Sequence, residues 1–218
     1  MTHDDHATGR RLGRRAALAW LGLAGVAWSA RSGAADSTMC VARPEQTEGP
    51  FFVDERLERG DIRGDPATGR VSAGAPLAGA KIDVWQCDAA GRYSDVRDFA
   101  GSTAGQRFLR GYQVTDAEGN ARFVTIVPGW YEGRAVHIHF KVDAARAGGA
   151  RRTFTSQLYF DDAFVDRVHA QAPYAARGPR RLRNRADGLY RGGGDQLTLT
   201  PQPDGEGYRA RFVLGLTA

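Results

Sequence analysis

The chemistry in this chain gathers around Val136-His137-Ile138-His139-Phe140-Lys141, which follows Tyr131-Glu132-Gly133-Arg134. Side chains alternate along a β-strand. His137 and His139 would therefore share one face with Cα atoms roughly 7 Å apart, near enough for both imidazoles to reach one metal ion. Val136, Ile138 and Phe140 would take the apolar face. The competing reading is two polar residues on a half-exposed sheet face. Beyond residue 35 the chain has one other histidine, His169, so two at ligand spacing argue for a ligand role. Tyr131, after the turn signal Pro128-Gly129, and Tyr93, in Gly91-Arg92-Tyr93-Ser94, stand where a third and fourth ligand can be aimed inward. Each could instead be a core or rim aromatic, the reading given to Tyr112, Tyr159, Tyr174, Tyr190 and Tyr208. Phenolate is a hard anionic oxygen. Two phenolates with two imidazoles suit a hard trivalent ion, iron(III), better than zinc or copper, which more often pair histidine with cysteine or carboxylate.

The elements that must hold these residues read as short strands with Gly/Pro turns. Lys81 to Cys87 alternates cleanly; Arg107 to Thr115 and Ala121 to Val127 flank the turn Asp116-Ala117-Glu118-Gly119-Asn120. Ala135 to Val142, Thr153 to Phe160, Gln196 to Thr200 and Tyr208 to Leu216 continue the series. One helix is expected over Asp161 to Gln171, capped by Asp161 or Asp162 and stopped by Pro173. His169 on it reads as a surface or packing residue. Residues 36–76, broken by Pro44, Gly49-Pro50, Gly60, Gly64, Pro66, Gly69, Gly74 and Pro76, read as an extended arm and substrate-side segment. Residues 77–218 then form the catalytic domain. The fold class is all-β, an antiparallel β-sandwich with an extended N-terminal arm and one short helix.

At 218 residues one domain can bury a sizeable core. The net charge of +5 does not indicate a nucleic-acid partner. Arg10, Arg11, Arg14, Arg15 and Arg31 against Asp4 and Asp5 place three of those charges in residues 1–35. There, arginine pairs precede the apolar run Ala16 to Trp28 and then small residues. This is the pattern of an export signal, of twin-arginine type in preference to an ordinary secretory signal or an uncleaved anchor. It points to a periplasmic or extracellular protein with no stable membrane insertion once the signal is removed. In such a compartment Cys40 and Cys87 are expected to form one disulfide. The run Arg177, Arg180, Arg181, Arg183, Arg185 reads as a solvated loop, with Asn184 and Asp187 pairing inside it, rather than as an anion site.

Taken together, Gly111-Tyr112-Gln113-Val114-Thr115-Asp116, Gly119, Thr125-Ile126-Val127-Pro128-Gly129-Trp130-Tyr131-Glu132-Gly133-Arg134 and His137-Ile138-His139-Phe140 resemble the intradiol ring-cleavage dioxygenases. These are non-haem iron(III) enzymes that open catechol, protocatechuate or hydroxyquinol rings. Thr47-Glu48-Gly49-Pro50-Phe51-Phe52 resembles the segment that leads into that family's β-core. The similarity runs from about Thr47 to about Phe160. It implies a transthyretin-like, intradiol-type sandwich and one Fe(3+) per chain, ligated by Tyr93, Tyr131, His137 and His139. It also implies Tyr131 as a proton acceptor, Arg134 and Gln157 in the active site, and Thr47, Gly49, Pro50, Phe51 and Arg134 around the substrate. The implied partners are a small aromatic ortho-diol and O2, the implied product a cis,cis-muconate-type diacid, and the implied state a monomer or homodimer. Relatives acting on catechol carry an N-terminal helical dimerisation region. No such pattern appears here, and the sequence is more similar to exported single-domain relatives.

Two other classes compete. Pro76-Leu77-Ala78-Gly79-Ala80-Lys81-Ile82-Asp83-Val84 also resembles transthyretin-like envelope modules that bind or scaffold without catalysis. Such modules have no reason to keep His-x-His, two tyrosines and an arginine together. A metal-dependent hydrolase would need a carboxylate base near the histidines, which only Asp143 or Glu132 could supply.

Overall fold

The computed structural model describes residues 43–54, 61–63, 65–73, 75–98, 101–145 and 149–216. The export signal and Cys40 fall outside these residues. The strands are β1 (Asp61–Arg63), β2 (Asp65–Ala73), β3 (Ala75–Pro76), β4 (Lys81–Trp85), β5 (Arg97–Asp98), β6 (Gly101–Ser102), β7 (Arg110–Val114), β8 (Asn120–Thr125), β9 (His137–Ala145) and β10 (Arg151–Phe160). Helix α1 (Asp162–His169) follows, then β11 (Thr198–Leu199), β12 (Gln202–Asp204) and β13 (Gly207–Leu214). One sheet runs β11-β10-β9-β4-β7, a second β1-β8-β2-β13-β12 with β3 beside β2, and β5-β6 form a small ribbon.

Period-two alternation decides which faces meet. Ala121 and Phe123 of β8 and Ala210, Phe212 and Leu214 of β13 are buried, with Arg122, Arg209 and Arg211 exposed between them. They share one core with Ile82 and Val84 of β4, Ile138, Phe140 and Val142 of β9, and Phe154 and Leu158 of β10. Phe140 and Phe212 join the two sheets edge to face, 6.2 Å between centroids. Aromatic pairs prefer this geometry, and it adds to the area they bury.

The chain is mostly β with one α-helix, but three expectations need correction. The sheets are mixed, because β1/β8, β2/β13 and β10/β11 pair in parallel. The β10/β11 pairing is possible because α1 and the 3₁₀ turns at Tyr174–Arg177, Asn184–Ala186, Tyr190–Gly192 and Gly194–Leu197 form a crossover long enough to bring the chain back. The expected arm over 36–76 is strand in its second part. Pro66 and Gly69 argue against a strand on side-chain grounds, yet β2 is paired on both edges, to β8 and β13. Finally, Gln196 and Leu197 lie in a 3₁₀ turn, so that strand shortens to two residues.

The helix begins as read. Asp161 accepts hydrogen bonds from the backbone N–H groups of Ala163 and Phe164. Its first and middle turns are held by the arginine run. Arg180, nearly buried, pairs with Asp162 and Asp166, and Arg183 pairs with Asp166. The run therefore docks the crossover onto α1. His169 is a packing residue, its Nε2 2.9 Å from Pro128 O and its ring stacked on Tyr174 at 4.9 Å.

Candidate metal centre

Strand β9 has two buried faces. Ile138 and Phe140 enter the shared core, while His137 and His139 lie opposite and are only 1% and 2% exposed. The competing reading, a half-exposed sheet face, fails because residues 46–52 cover the histidines. Gln46 N–H donates to Thr155 O at 2.9 Å, and Lys141 Nζ, on the histidine face, donates to Glu48 Oε2 at 2.7 Å. Gly49 lies so close that a Cβ there would stand 3.3 Å from His139 Cε1. From β4, which pairs Trp85 with His139, the indole stacks on the imidazole at 4.9 Å and 5°.

The histidine nitrogens are oriented by their neighbours. His137 Nδ1 sits 2.6 Å from Ala135 O, an acceptor, so Nδ1 carries the proton and Nε2 presents a lone pair. That Nε2 is 2.9 Å from Nε2 of His139, whose Nδ1 has no hydrogen-bond partner. Either tautomer of His139 leaves a buried nitrogen unmatched. Burial, with Arg134 nearby, lowers the His137 pKa to about 3, and burial also holds His139 far below an ordinary histidine. Both rings are therefore neutral, the form that binds metals.

Two turns deliver the phenols. Asp88 Oδ1 accepts from the N–H groups of Ala90 and Arg92, closing the turn that precedes Tyr93. Gly129 N–H donates to Asp88 O at 3.0 Å, fixing the turn that precedes Tyr131. The two turns touch backbone to backbone. A Cβ on Gly129 would lie 2.4 Å from Ala89 O, and one on Gly91 (φ +78) 2.4 Å from Trp130 O. Only glycine permits that approach. Tyr93 OH is 3.5 Å from both Tyr131 OH and His137 Nε2, and Tyr131 OH is 3.2 Å from His137 Nε2. Burial pushes the Tyr93 phenol far above its ordinary range and Tyr131 up to about 12.

Four buried donor atoms thus converge with neighbouring separations of 2.9–3.5 Å. Atoms about 2.1 Å from a common ion stand about 3.0–3.4 Å apart at octahedral to tetrahedral angles. The spacing fits one metal ion. No group of three or more His, Cys, Asp or Glu side chains is placed to share an ion among the described residues, so the tyrosines are needed to complete the set. Glu132 is exposed beside Arg181, and Asp143 accepts from Thr153, so neither carboxylate serves as a base here.

Arg134 edges the cluster, Nη1 3.5 Å from His137 Nε2. Its Nε donates to Asp187 Oδ2 at 2.9 Å and its Nη2 to Gln157 Oε1 at 2.5 Å. Gln157 pairs in register with His139 across β9/β10 and donates from Nε2 to Thr47 O at 3.0 Å. The structure therefore brings Tyr93, Tyr131, Arg134, His137, His139 and Gln157 together beneath the Thr47–Phe51 segment. Within that segment Phe51 stacks on Tyr93 at 4.6 Å, a packing contact, while Thr47 and Pro50 are exposed. Cys87 is a free buried thiol whose Sγ donates to Gly129 O at 3.3 Å. Cys40, its expected partner, lies outside the described residues.

Sequence reasoning missed three contributors. Trp85 was legible only as part of a strand and Tyr159 only as a core or rim aromatic, although each falls on the histidine face once the strands are paired. Asp187 was assigned to the arginine run, but it is 1% exposed and sits under Arg134. No short-range signal links residues 53 positions apart.

A family model described as a dioxygenase matches residues 67–182. The beta chain of protocatechuate 3,4-dioxygenase from Burkholderia cepacia is 35% identical over 157 residues, 67% of this chain and 62% of that one. Catechol 1,2-dioxygenase from Candida albicans is 45% identical over 122 residues, 48% of this chain and 37% of that one. The chain thus spans less than two thirds of the length of either relative. Among solved structures, an intradiol ring-cleavage dioxygenase from Tetranychus urticae superposes with a TM-score of 0.70 at 30% identity, covering 81% of this chain and 94% of that one.

Proposed function

The chain belongs to the intradiol ring-cleavage dioxygenase family, and on that premise we propose that it cleaves a catechol-type ortho-diol with O2 at a single non-haem iron(III). The product is a cis,cis-muconate-type diacid that takes up both oxygen atoms. The observation that carries this reading is the convergence of two phenol oxygens and two neutral imidazole nitrogens at 2.9–3.5 Å. Tyr93, Tyr131, His137 and His139 would hold the ion. Their chemistry suits iron(III), since buried phenols raised this far ionise only against a strong cation. Bound iron(III) supplies a Lewis acid for the two diol oxygens and the electronic coupling that lets O2 react with the ring.

The chain's own groups do the rest. Tyr131 is the less buried of the two phenols. As a phenolate at the more open edge of the cluster, its oxygen would take a proton from the entering diol. Tyr93, wholly buried and stacked on Phe51, stays in place. Arg134 offers fixed positive charge beside the site, where negative charge develops on the ring, and needs no reorganisation to do so. The Thr47–Phe51 segment walls the site. Gly49 fits against His139, and the exposed Thr47 and Pro50 would lie beside the entering ring. We read the two sheets as the layers of a β-sandwich whose outer face carries this site, and residues 1–35 as an export signal for a periplasmic or extracellular enzyme.

The test is turnover of iron-loaded protein with catechol under ¹⁸O₂. Both labelled atoms should appear in the diacid. Iron-replete protein that consumes no O2 with catechol, protocatechuate or hydroxyquinol would overturn the proposal.

A further inference from the structure

Asp187 is a buried carboxylate that the chemistry above does not use. Its Oδ2 accepts from Arg134 Nε at 2.9 Å and from Ala135 N–H at 2.7 Å. Its Oδ1 accepts from Leu189 N–H at 2.7 Å and Tyr190 N–H at 3.3 Å. Four donors lock the carboxylate, so it holds the guanidinium rather than following it. The same loop reaches round to the segment over the site. Gln46 Nε2 donates to Leu189 O at 2.8 Å, and Tyr159 OH donates to Gln46 Oε1 at 2.8 Å. Tyr159 OH also lies 3.1 Å from Gln157 Oε1, which accepts from Arg134 Nη2. Asp187, Arg134, Gln157, Tyr159, Gln46 and the Leu189 backbone thus form a closed polar circuit. Among the described residues Asp187 supplies its only carboxylate and the only contact to Nε. Hydrogen bonds to charged groups are the strong members of such circuits, and a fixed carboxylate gives the guanidinium plane its direction.

We propose that Asp187 is the positioning residue for Arg134: it turns the guanidinium so that Nη1 faces the donor cluster and Nη2 faces Gln157. This rests on the dioxygenase reading for its catalytic consequence, but not for its geometry. Without the carboxylate, Nε loses its acceptor and the side chain samples other rotamers. The charge then no longer waits where it is needed.

The experiment uses the full chain and the variants Asp187→Asn, Arg134→Ala and the double mutant. Asp187→Asn keeps the size and one amide oxygen to accept from the loop. It should lower kcat about tenfold to a hundredfold, change KM less than about threefold, and leave iron content and visible spectrum unaltered. The double mutant should be no slower than Arg134→Ala alone, because Asp187 acts through Arg134. A second readout needs no turnover. In the protein loaded with gallium(III), a diamagnetic stand-in, the Arg134 Nε–H should give a resonance shielded from solvent exchange that disappears in Asp187→Asn. Active enzyme in which Asp187→Asn leaves kcat unchanged, or in which the two losses multiply, overturns the positioning role while the dioxygenase reading stands. A shielded Nε–H lost in the variant, in a protein that turns over no diol, keeps the positioning role and overturns the dioxygenase reading. An unshielded Nε–H in the parent overturns the positioning role.

Discussion

Gly129→Ala isolates the contact that sets the two tyrosines. Gly129 does not have the positive φ that would strain alanine, so the effect is steric alone. The new Cβ would meet Ala89 O at 2.4 Å, Asp88 O at 2.6 Å and the Ala89 carbonyl carbon at 2.7 Å, all backbone atoms that cannot rotate away. Ordinary contact begins at about 3.2–3.4 Å, so the Asp88–Arg92 turn and the Pro128–Tyr131 turn must part by about 0.8–1.0 Å. That movement strains the Gly129 N–H to Asp88 O bond and pulls Tyr93 OH away from Tyr131 OH, now 3.5 Å apart. Overpacking of this kind costs about 1–3 kcal/mol, or a fall in Tm of about 2–12 °C at this size. A donor displaced by about 1 Å costs on the order of a hundredfold in turnover. The assay is thermal unfolding with iron content and kcat, alongside Gly192→Ala, whose Cβ would meet nothing within 4 Å and which should stay within about 0.5 kcal/mol of the parent. If Gly129→Ala matches the parent in Tm, iron content and kcat, the two turns do not set the site as argued.

Three further outcomes follow from the geometry. His139→Ala should abolish iron retention, measured as metal per chain after gel filtration. His169→Ala should retain iron and lose about 1–3 kcal/mol of stability through its missing bond to Pro128 O and its stack on Tyr174. Burial alone would raise the Asp187 pKa, but the Ala135 N–H and the Arg134 guanidinium outweigh it and hold the carboxyl below the usual range. Its contribution is therefore complete above an unfolded value of about 3.9 and is lost as pH falls through the lower native value. The stability gap between parent and Asp187→Asn in urea should stay constant from pH 7 to about pH 5 and shrink below about pH 4.

Much of this site could be read before any fold was known. The alternation of Val136 to Lys141 placed both histidines on one face, and turn residues marked where Tyr93 and Tyr131 would leave the strands. Alternation could not show that the histidine face is buried, because its cover comes from Gln46 to Phe52, far away in sequence. Gln157 is placed opposite His139 by the β9/β10 register, which spacing along the sequence does not give. Asp187 lay hidden in an arginine-rich stretch where the ordinary expectation is local pairing. The strand Asp65–Ala73 was obscured by Pro66 and Gly69, since main-chain pairing on both edges outweighs the propensity of the side chains. Position along a strand was legible; what covers a face, and what reaches it from fifty residues away, was not.

The central claim, that two tyrosines and two histidines hold one iron(III), is tested most directly by the visible absorption spectrum of the protein loaded with one iron per chain. Phenolate-to-iron charge transfer should colour it red to burgundy, and Tyr93→Phe and Tyr131→Phe should each shift or weaken that band. A colourless protein carrying its full complement of iron, or a band that neither substitution moves, would contradict the account.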